Sequence, residues 1–162
     1  MRNTQAEAIP DLQRKCPELL LCGSVALIVA GEMDKRRVGD VDFVINQRHL
    51  DKVSNILHCF EHDTDSYTGE PLRDGEGYES WHGYYRHTSH FFMPSNINVN
   101  VLVFDDDIEL KSQQVEYAGK TFTIQDIDTI LYYKKKYNRP KDKKDLENIA
   151  TKCLEGILQE EA

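Results

Sequence analysis

The stretch "LLLCGSVALIVAGEMDKRRVGDVDFVI", residues 19 to 45, constrains the fold more than any other part of the chain. An apolar run, "ELLLC" with its glutamate at 18, fits a buried strand and is punctuated by Gly23-Ser24. From Ser24 the segment "SVALIVAGEM" predicts a short helix, with the serine as N-cap and Gly31 near its end. The basic turn "DKRRVG" then leads into "DVDFVIN", whose valines and isoleucine predict a second strand. In that strand a period of two puts Asp40 and Asp42 on one face and Val41 and Phe43 on the other. Two carboxylates side by side in an otherwise apolar strand repel each other, so their presence demands a reason.

The rest of the chain supplies the frame. Residues 4 to 15 are weakly helical, with Pro10 expected near a turn or a helix start. "QRHLDKVSNILHCFEH", 47 to 62, carries Leu50, Val53, Ile56, Leu57 and Phe60 at helical spacing. The stretch from 63 to 83, with its glycines and acids, reads as a long loop. "YYRHTSHFFM" and "NINVNVLVF" predict neighbouring strands joined by the turn "PSN", with Val99, Val101 and Val103 on one face and Asn98 and Asn100 on the other. "QQVEYAGKTFTI" predicts a hairpin turning at Ala118-Gly119. Two helices close the chain, "QDIDTILYYKKKYN" and, after Pro140, "KDKKDLENIATKCLEGILQ", the last with an apolar stripe of Leu146, Ile149, Cys153, Leu154 and Ile157. The pattern is an α/β (α+β) arrangement around a mixed sheet, in a single unit covering residues 1–162.

Composition removes several functions. A formal net charge of -8 argues against coating nucleic acid by bulk electrostatics. No apolar run is long enough for a membrane helix and the N-terminus is polar, which predicts a protein with no membrane partner, in the cytoplasm. Cys16, Cys22, Cys59 and Cys153 are scattered and read as reduced core residues. One local exception to the acidic balance is "KKKYNRPKDKK", residues 134 to 144, with seven basic residues against one aspartate. It reads either as a solvated helix face or as a phosphate-neutralising patch.

A divalent cation between Asp40 and Asp42 would account for the pair, and Mg²⁺ prefers one or two carboxylates completed by substrate phosphates. A glycine after the first strand lets a ligand approach the backbone, and a helix start offers free N–H groups to a phosphate. Gly23 and Ser24 are thus candidate phosphate binders, and Asp40 and Asp42 candidate metal ligands.

At this point the sequence resembles the DNA polymerase beta nucleotidyltransferase superfamily, in which an apolar strand and Gly-Ser precede a strand bearing Asp-x-Asp. Small bacterial stand-alone members, drug-modifying or belonging to toxin-antitoxin and phage-defence systems, are the most similar. "YYKKKYNRPKDKKDLENI" is also similar to the ending of many such proteins. The resemblance implies a nucleotidyltransferase fold, a mixed β-sheet flanked by helices with a C-terminal helical pair. It further implies magnesium-dependent transfer of a nucleoside monophosphate from a nucleoside triphosphate to an acceptor, which the sequence leaves open as a small molecule, a protein or an RNA end. Carried over, Gly23, Ser24, Arg36, and Lys134 or Lys141 would meet the triphosphate, and Asp40 and Asp42 the metal.

The chain departs from the family's pattern at the third acid. The strand that should supply it reads "INVNVLVF", so its place falls to Asn100, with Asn98 beside it. Asparagine offers a neutral carbonyl oxygen to a cation but cannot act as a general base. Asp105, an acid brought by the substrate, or Asp63 or Glu70 are the candidate replacements. A Val38 where many relatives have Ser or Thr is a second departure. The alternative reading is a catalytically impaired nucleotidyltransferase-fold protein serving as a binding or regulatory partner of another protein. A nucleotide-sugar enzyme using Asp-x-Asp ranks below both, because it leaves Gly-Ser unexplained. His58 and His62, one turn apart if helical, are a candidate zinc pair against ordinary packing, with His82, His87 and His90 flanking a strand. Trp81, Tyr84 and Tyr85 are candidates to stack on a base or to fill the core.

Overall fold

The computed structural model describes residues 1–64, 78–88 and 94–161. Its elements are α1 (Asn3–Lys15), β1 (Leu20–Cys22), α2 (Gly23–Val29), β2 (Val41–Asn46), a 3₁₀ turn (Gln47–His49), α3 (Leu50–Ile56), β3 (His58–His62), β4 (Tyr78–Thr88), β5 (Pro94–Phe104), β6 (Ser112–Tyr117), β7 (Lys120–Gln125), α4 (Ile127–Tyr137) and α5 (Pro140–Glu161). The strands form one mixed sheet in the order β3-β4-β5-β2-β1-β7-β6. β1 runs antiparallel to β2 and parallel to β7, while β2 runs parallel to β5.

Alternation along the strands sorts the sheet into two faces. Leu21, Phe43, Val101 and Ile124 lie on one, all buried, and α1 packs against β4, β5 and β7 on that side. Gln13 ties α1 down through Nε2 to the Leu19 and Thr123 carbonyls (2.8 and 2.6 Å), and its Oε1 accepts from the Thr123 N–H at 3.0 Å. Three hydrogen bonds satisfy a side chain that is otherwise buried among apolar groups. The other face carries Cys22, Asp42, Val44, Asn100, Leu102 and Phe104, and together with Ile130 and Tyr133 of α4 these residues line a cleft.

Several local expectations change in the fold. Pro10 lies inside α1, where the burial of Ala8, Ile9 and Leu12 offsets the missing N–H donor. Helix α3 stops at Ile56, Leu57 turns extended, and residues 58 to 62 form β3 rather than a continued helix, because β4 offers them a ladder. β4 starts at Tyr78, inside the expected loop, and Pro94 to Asn96 belong to β5, opposite Thr88 to Arg86, rather than to a turn. The hairpin β6–β7 turns at Ala118 and Gly119 as expected; both have positive φ (52° and 75°), the requirement of a two-residue type I′ loop. In α5 the expected apolar stripe is buried only in part, since Cys153, Leu154 and Ile157 are exposed. Of the cysteines, Cys16 and Cys22 are buried and Cys59 and Cys153 exposed. Among the described residues no helix is long and apolar enough to cross a membrane.

Candidate functional site

The site begins where β1 ends. Gly23 turns the chain with φ +67°, a conformation that favours glycine, and a Cβ built there would stand 2.8 Å from Asp42 Oδ2. The backbone thus approaches the carboxylate as closely as it can. Register does the rest: Cys22 pairs with Asp42, and Asp42 pairs with Asn100, so the three share one face of the sheet. Asn100 Nδ2 lies 3.3 Å from Asp42 Oδ1 and 3.4 Å from Asp40 Oδ2, bridging the two carboxylates. Burial pushes the Asp42 carboxyl above the usual range, and the neighbouring Asp40 adds to this, while Asn100, Lys141 and Lys134 pull the other way. The carboxylate is held in an environment that favours an added positive charge.

A cleft of about 340 Å³ opens over this cluster. Gly23, Asp42, Asn100, Lys134 and Lys141 line it on one side, and Asp63 and Ser80 on the other.

The basic residues divide into two groups. Lys134 is buried and donates to Ser24 Oγ (3.2 Å) and Asp145 (2.9 Å), with Asp142 at 3.6 Å. Arg36 forks onto the same Asp145 (2.9 and 3.0 Å) and donates to Ser24 Oγ at 2.7 Å. Ser24 Oγ in turn donates to Asp145 Oδ2 at 2.7 Å, so the serine is bound to the helix behind it and does not cap α2; Cys22 takes the N-cap position. Arg139 closes on Asp142 through Nε at 2.7 Å. Burial would push the Asp145 carboxyl up, but its hydrogen bonds from Arg36, Ser24 and Lys134 prevail and hold it at about 2. This network clamps α2, α4 and α5 together behind the cleft. Lys141, by contrast, is exposed and faces the cleft, where Asp42 feels its charge.

The structure therefore gathers Gly23, Asp42, Asn100, Lys134 and Lys141 around one cleft, brings Asp40, just before β2, against Asn100 at its edge, and sets Ser24 and Arg36 behind it in the clamp. Asn98 shares the face of Asn100 but pairs with Tyr84, one step from the carboxylates. Asp105 follows β5 at the far end of the strand, five residues or roughly 16 Å from Asn100, with its carbonyl accepting from Asn46. Glu70 and His90 lie outside the described residues. The zinc pair is absent: His58 stacks on Tyr84 and His62 on Trp81, and since Tyr84 and Trp81 point to opposite faces of β4, so do the histidines. A bulge at Cys59 (φ 51°) makes this switch of faces. Tyr85 is core, its hydroxyl donating to Asp11, and Trp81 packs between Phe60 and His62.

Asp142 and Asp145 were invisible as site residues because an acid in "RPKDKKDL" reads as surface; their spacing of three, which puts both on one helix face, was the available signal. Of the candidate replacement acids among the described residues, Asp63 lines the cleft and Asp105 does not. The Asp63 carboxylate accepts from Ser80 Oγ and is joined by His82 Nδ1.

The mixed sheet, with Gly-Ser after one strand and Asp-x-Asp leading into its antiparallel neighbour, closed by a helical pair, has the nucleotidyltransferase-like fold. In agreement, the chain is similar to an antigenic nucleotidyltransferase-like protein from Paracoccidioides brasiliensis, with a TM-score of 0.53 at 16% identity over 90% of this chain and 73% of that one. The JHP933 protein from Helicobacter pylori aligns with a TM-score of 0.42 at 17% identity, over 83% of this chain and 57% of that one. No protein-family profile and no curated protein sequence matches the chain.

Proposed function

We propose that this protein is a Mg²⁺-dependent nucleotidyltransferase, moving a nucleoside monophosphate from a nucleoside triphosphate to a hydroxyl-bearing acceptor. The observation that carries the reading is the placement of Asp42 and Asn100 on one face, under the Gly23 backbone and at the floor of a cleft that Lys141 also faces, with Asp40, just before β2, joined to them through the Asn100 amide at 3.4 Å.

The donor set suits the metal. Among the described residues no group of three or more His, Cys, Asp or Glu is placed to hold a metal ion by itself. Two carboxylates and an amide instead match a hard cation that completes its shell with substrate phosphates. Asp40 and Asp42 would hold it, and Asn100 would add its carbonyl oxygen after a flip of the amide. Bound there, Mg²⁺ supplies charge neutralisation of the triphosphate and of the oxygens that gain charge during transfer. The chain's own part is to position the groups. Gly23 keeps the backbone close enough for phosphate contacts, Lys141 adds a positive charge at the cleft, and the clamp around Asp145 fixes α2, α4 and α5 behind it.

A thermal-shift titration with ATP, GTP, CTP and UTP, each with and without Mg²⁺, tests the reading. Stabilisation that requires both nucleotide and metal, and disappears in Asp40→Ala/Asp42→Ala, is the expected result. No shift with any nucleotide would sink it.

Asn100 favours one second reading, a protein of the same fold that binds nucleotide or a protein partner without catalysis, because an amide cannot accept the acceptor's proton. That reading predicts Mg²⁺-dependent nucleotide binding with no release of pyrophosphate.

A further inference from the structure

We infer that His82, oriented by Asp63, is the general base that deprotonates the acceptor hydroxyl, in the role Asn100 cannot fill; this rests on the nucleotidyltransferase reading above. The argument is one of register. His82 pairs with Asn100 across β4 and β5, and Asn100 with Asp42 across β5 and β2, so imidazole, amide and carboxylate form one row on the cleft face. Adjacent strands lie about 4.8 Å apart, which places the Asp42 and His82 backbones roughly 10 Å from each other. That span accommodates a phosphoryl group and an attacking oxygen above Asn100.

The histidine is held in one useful state. Its Nδ1 meets the Asp63 carboxylate, which is acceptor-only when ionised, so Nδ1 carries the proton and Nε2 presents its lone pair. Asp63 is itself fixed from β4, accepting from Ser80 Oγ and donating its backbone N–H to the Ser80 carbonyl at 2.9 Å. Among the described residues the charged groups facing His82 are Asp63 and Glu61; Glu61 Oε2 lies 3.8 Å from Nε2, beyond hydrogen-bond reach, so Nε2 keeps its lone pair for the acceptor. The ring is half exposed, at 46%, so an acceptor can reach it and solvent can reset it.

In the step itself the acceptor O–H gives its proton to His82 Nε2 as its oxygen bonds to the α-phosphorus. The bond from the α-phosphorus to the bridging oxygen breaks, and pyrophosphate leaves with that electron pair. His82 then returns the proton to water. Asp63 is a positioning residue that keeps the tautomer.

The test measures pyrophosphate released from the four nucleoside triphosphates with Mg²⁺, using water and glycerol as acceptors, across pH 5 to 9, alongside the thermal shift. For His82→Gln the expectation is an unchanged Mg²⁺-nucleotide shift, a rate down by roughly 100-fold or more, and loss of the acidic limb of the pH profile. Free imidazole should restore part of the rate in His82→Ala, and Asp63→Asn should lower the rate while keeping the limb. A His82→Gln rate and profile equal to wild type would overturn the assignment. So would a wild type that binds Mg²⁺-nucleotide yet releases no pyrophosphate, the outcome that favours the non-catalytic reading. Absence of any nucleotide shift in wild type is a different failure, that of the nucleotidyltransferase reading itself.

Discussion

Replacing Asp145 with asparagine removes the charge on which the rear clamp converges. The carboxylate is 3% exposed and accepts from Ser24, Arg36 and Lys134 at 2.7 to 3.0 Å. In Asp145→Asn, the buried ammonium of Lys134 keeps the Ser24 hydroxyl at 3.2 Å, but its one remaining carboxylate is Asp142 at 3.6 Å. Removing one partner of a buried pair costs about 3–5 kcal/mol, because the remaining charge is left uncompensated. For a chain of this length that is a fall in Tm of about 6–20 °C. Part of the loss is readable from pH alone. The carboxyl is depressed from 3.8 to about 2, so its contribution of about 2 kcal/mol is fully present above pH 4 and disappears as pH falls through 2. Urea unfolding at pH 7 and between pH 4 and pH 2, on wild type and variant, measures both quantities. The double variant with Lys134→Met should lose less than the sum of the single losses, because the stranded ammonium is gone. An Asp145→Asn protein within about 1 kcal/mol of wild type at pH 7 would refute the clamp, since no buried charge would then depend on that carboxylate.

Asp42→Asn should raise Tm without ligand, because it removes a carboxylate held against burial and beside Asp40, while abolishing any Mg²⁺-dependent nucleotide shift; scanning fluorimetry reads both. Gly23→Ala forces a side chain to φ +67° and a Cβ to 2.8 Å from Asp42 Oδ2, so a loss of about 2 kcal/mol and weakened Mg²⁺ response are expected in the same assay. Ala118→Gly relieves a left-handed alanine in the β6–β7 turn and should stabilise by about 0.5–1 kcal/mol in urea titrations. Zn²⁺ should not stabilise the protein through His58 and His62, which point to opposite faces; a zinc-dependent shift lost in His58→Ala/His62→Ala would contradict that register.

Local chemistry determined a good deal of this protein. Period-two alternation in "DVDFVIN" and "NINVNVLVF" set the faces of β2 and β5, and with them the side on which Asp42 and Asn100 stand, while Asp40 precedes β2 and reaches them through the Asn100 amide. Gly23 and the Ala118-Gly119 turn were legible because positive φ leaves a mark in sequence. Where local signals competed, tertiary contacts decided. "LHCFEH" has helical spacing, yet β4 provides a ladder, and one bulge at Cys59 sends His58 and His62 to opposite faces. The cations show the same limit. Nothing local distinguishes Lys134 from Lys141, and only the packing of α4 on α5 buries the first between two aspartates and leaves the second facing the cleft. Asp63 and His82 meet beside Asn100 because β3, β4 and β5 are neighbours in the sheet, an adjacency between residues 19 and 18 positions apart in the chain. Faces follow from periodicity along one strand, whereas partners depend on which strands lie side by side, and that is fixed only when the whole sheet closes its ladder.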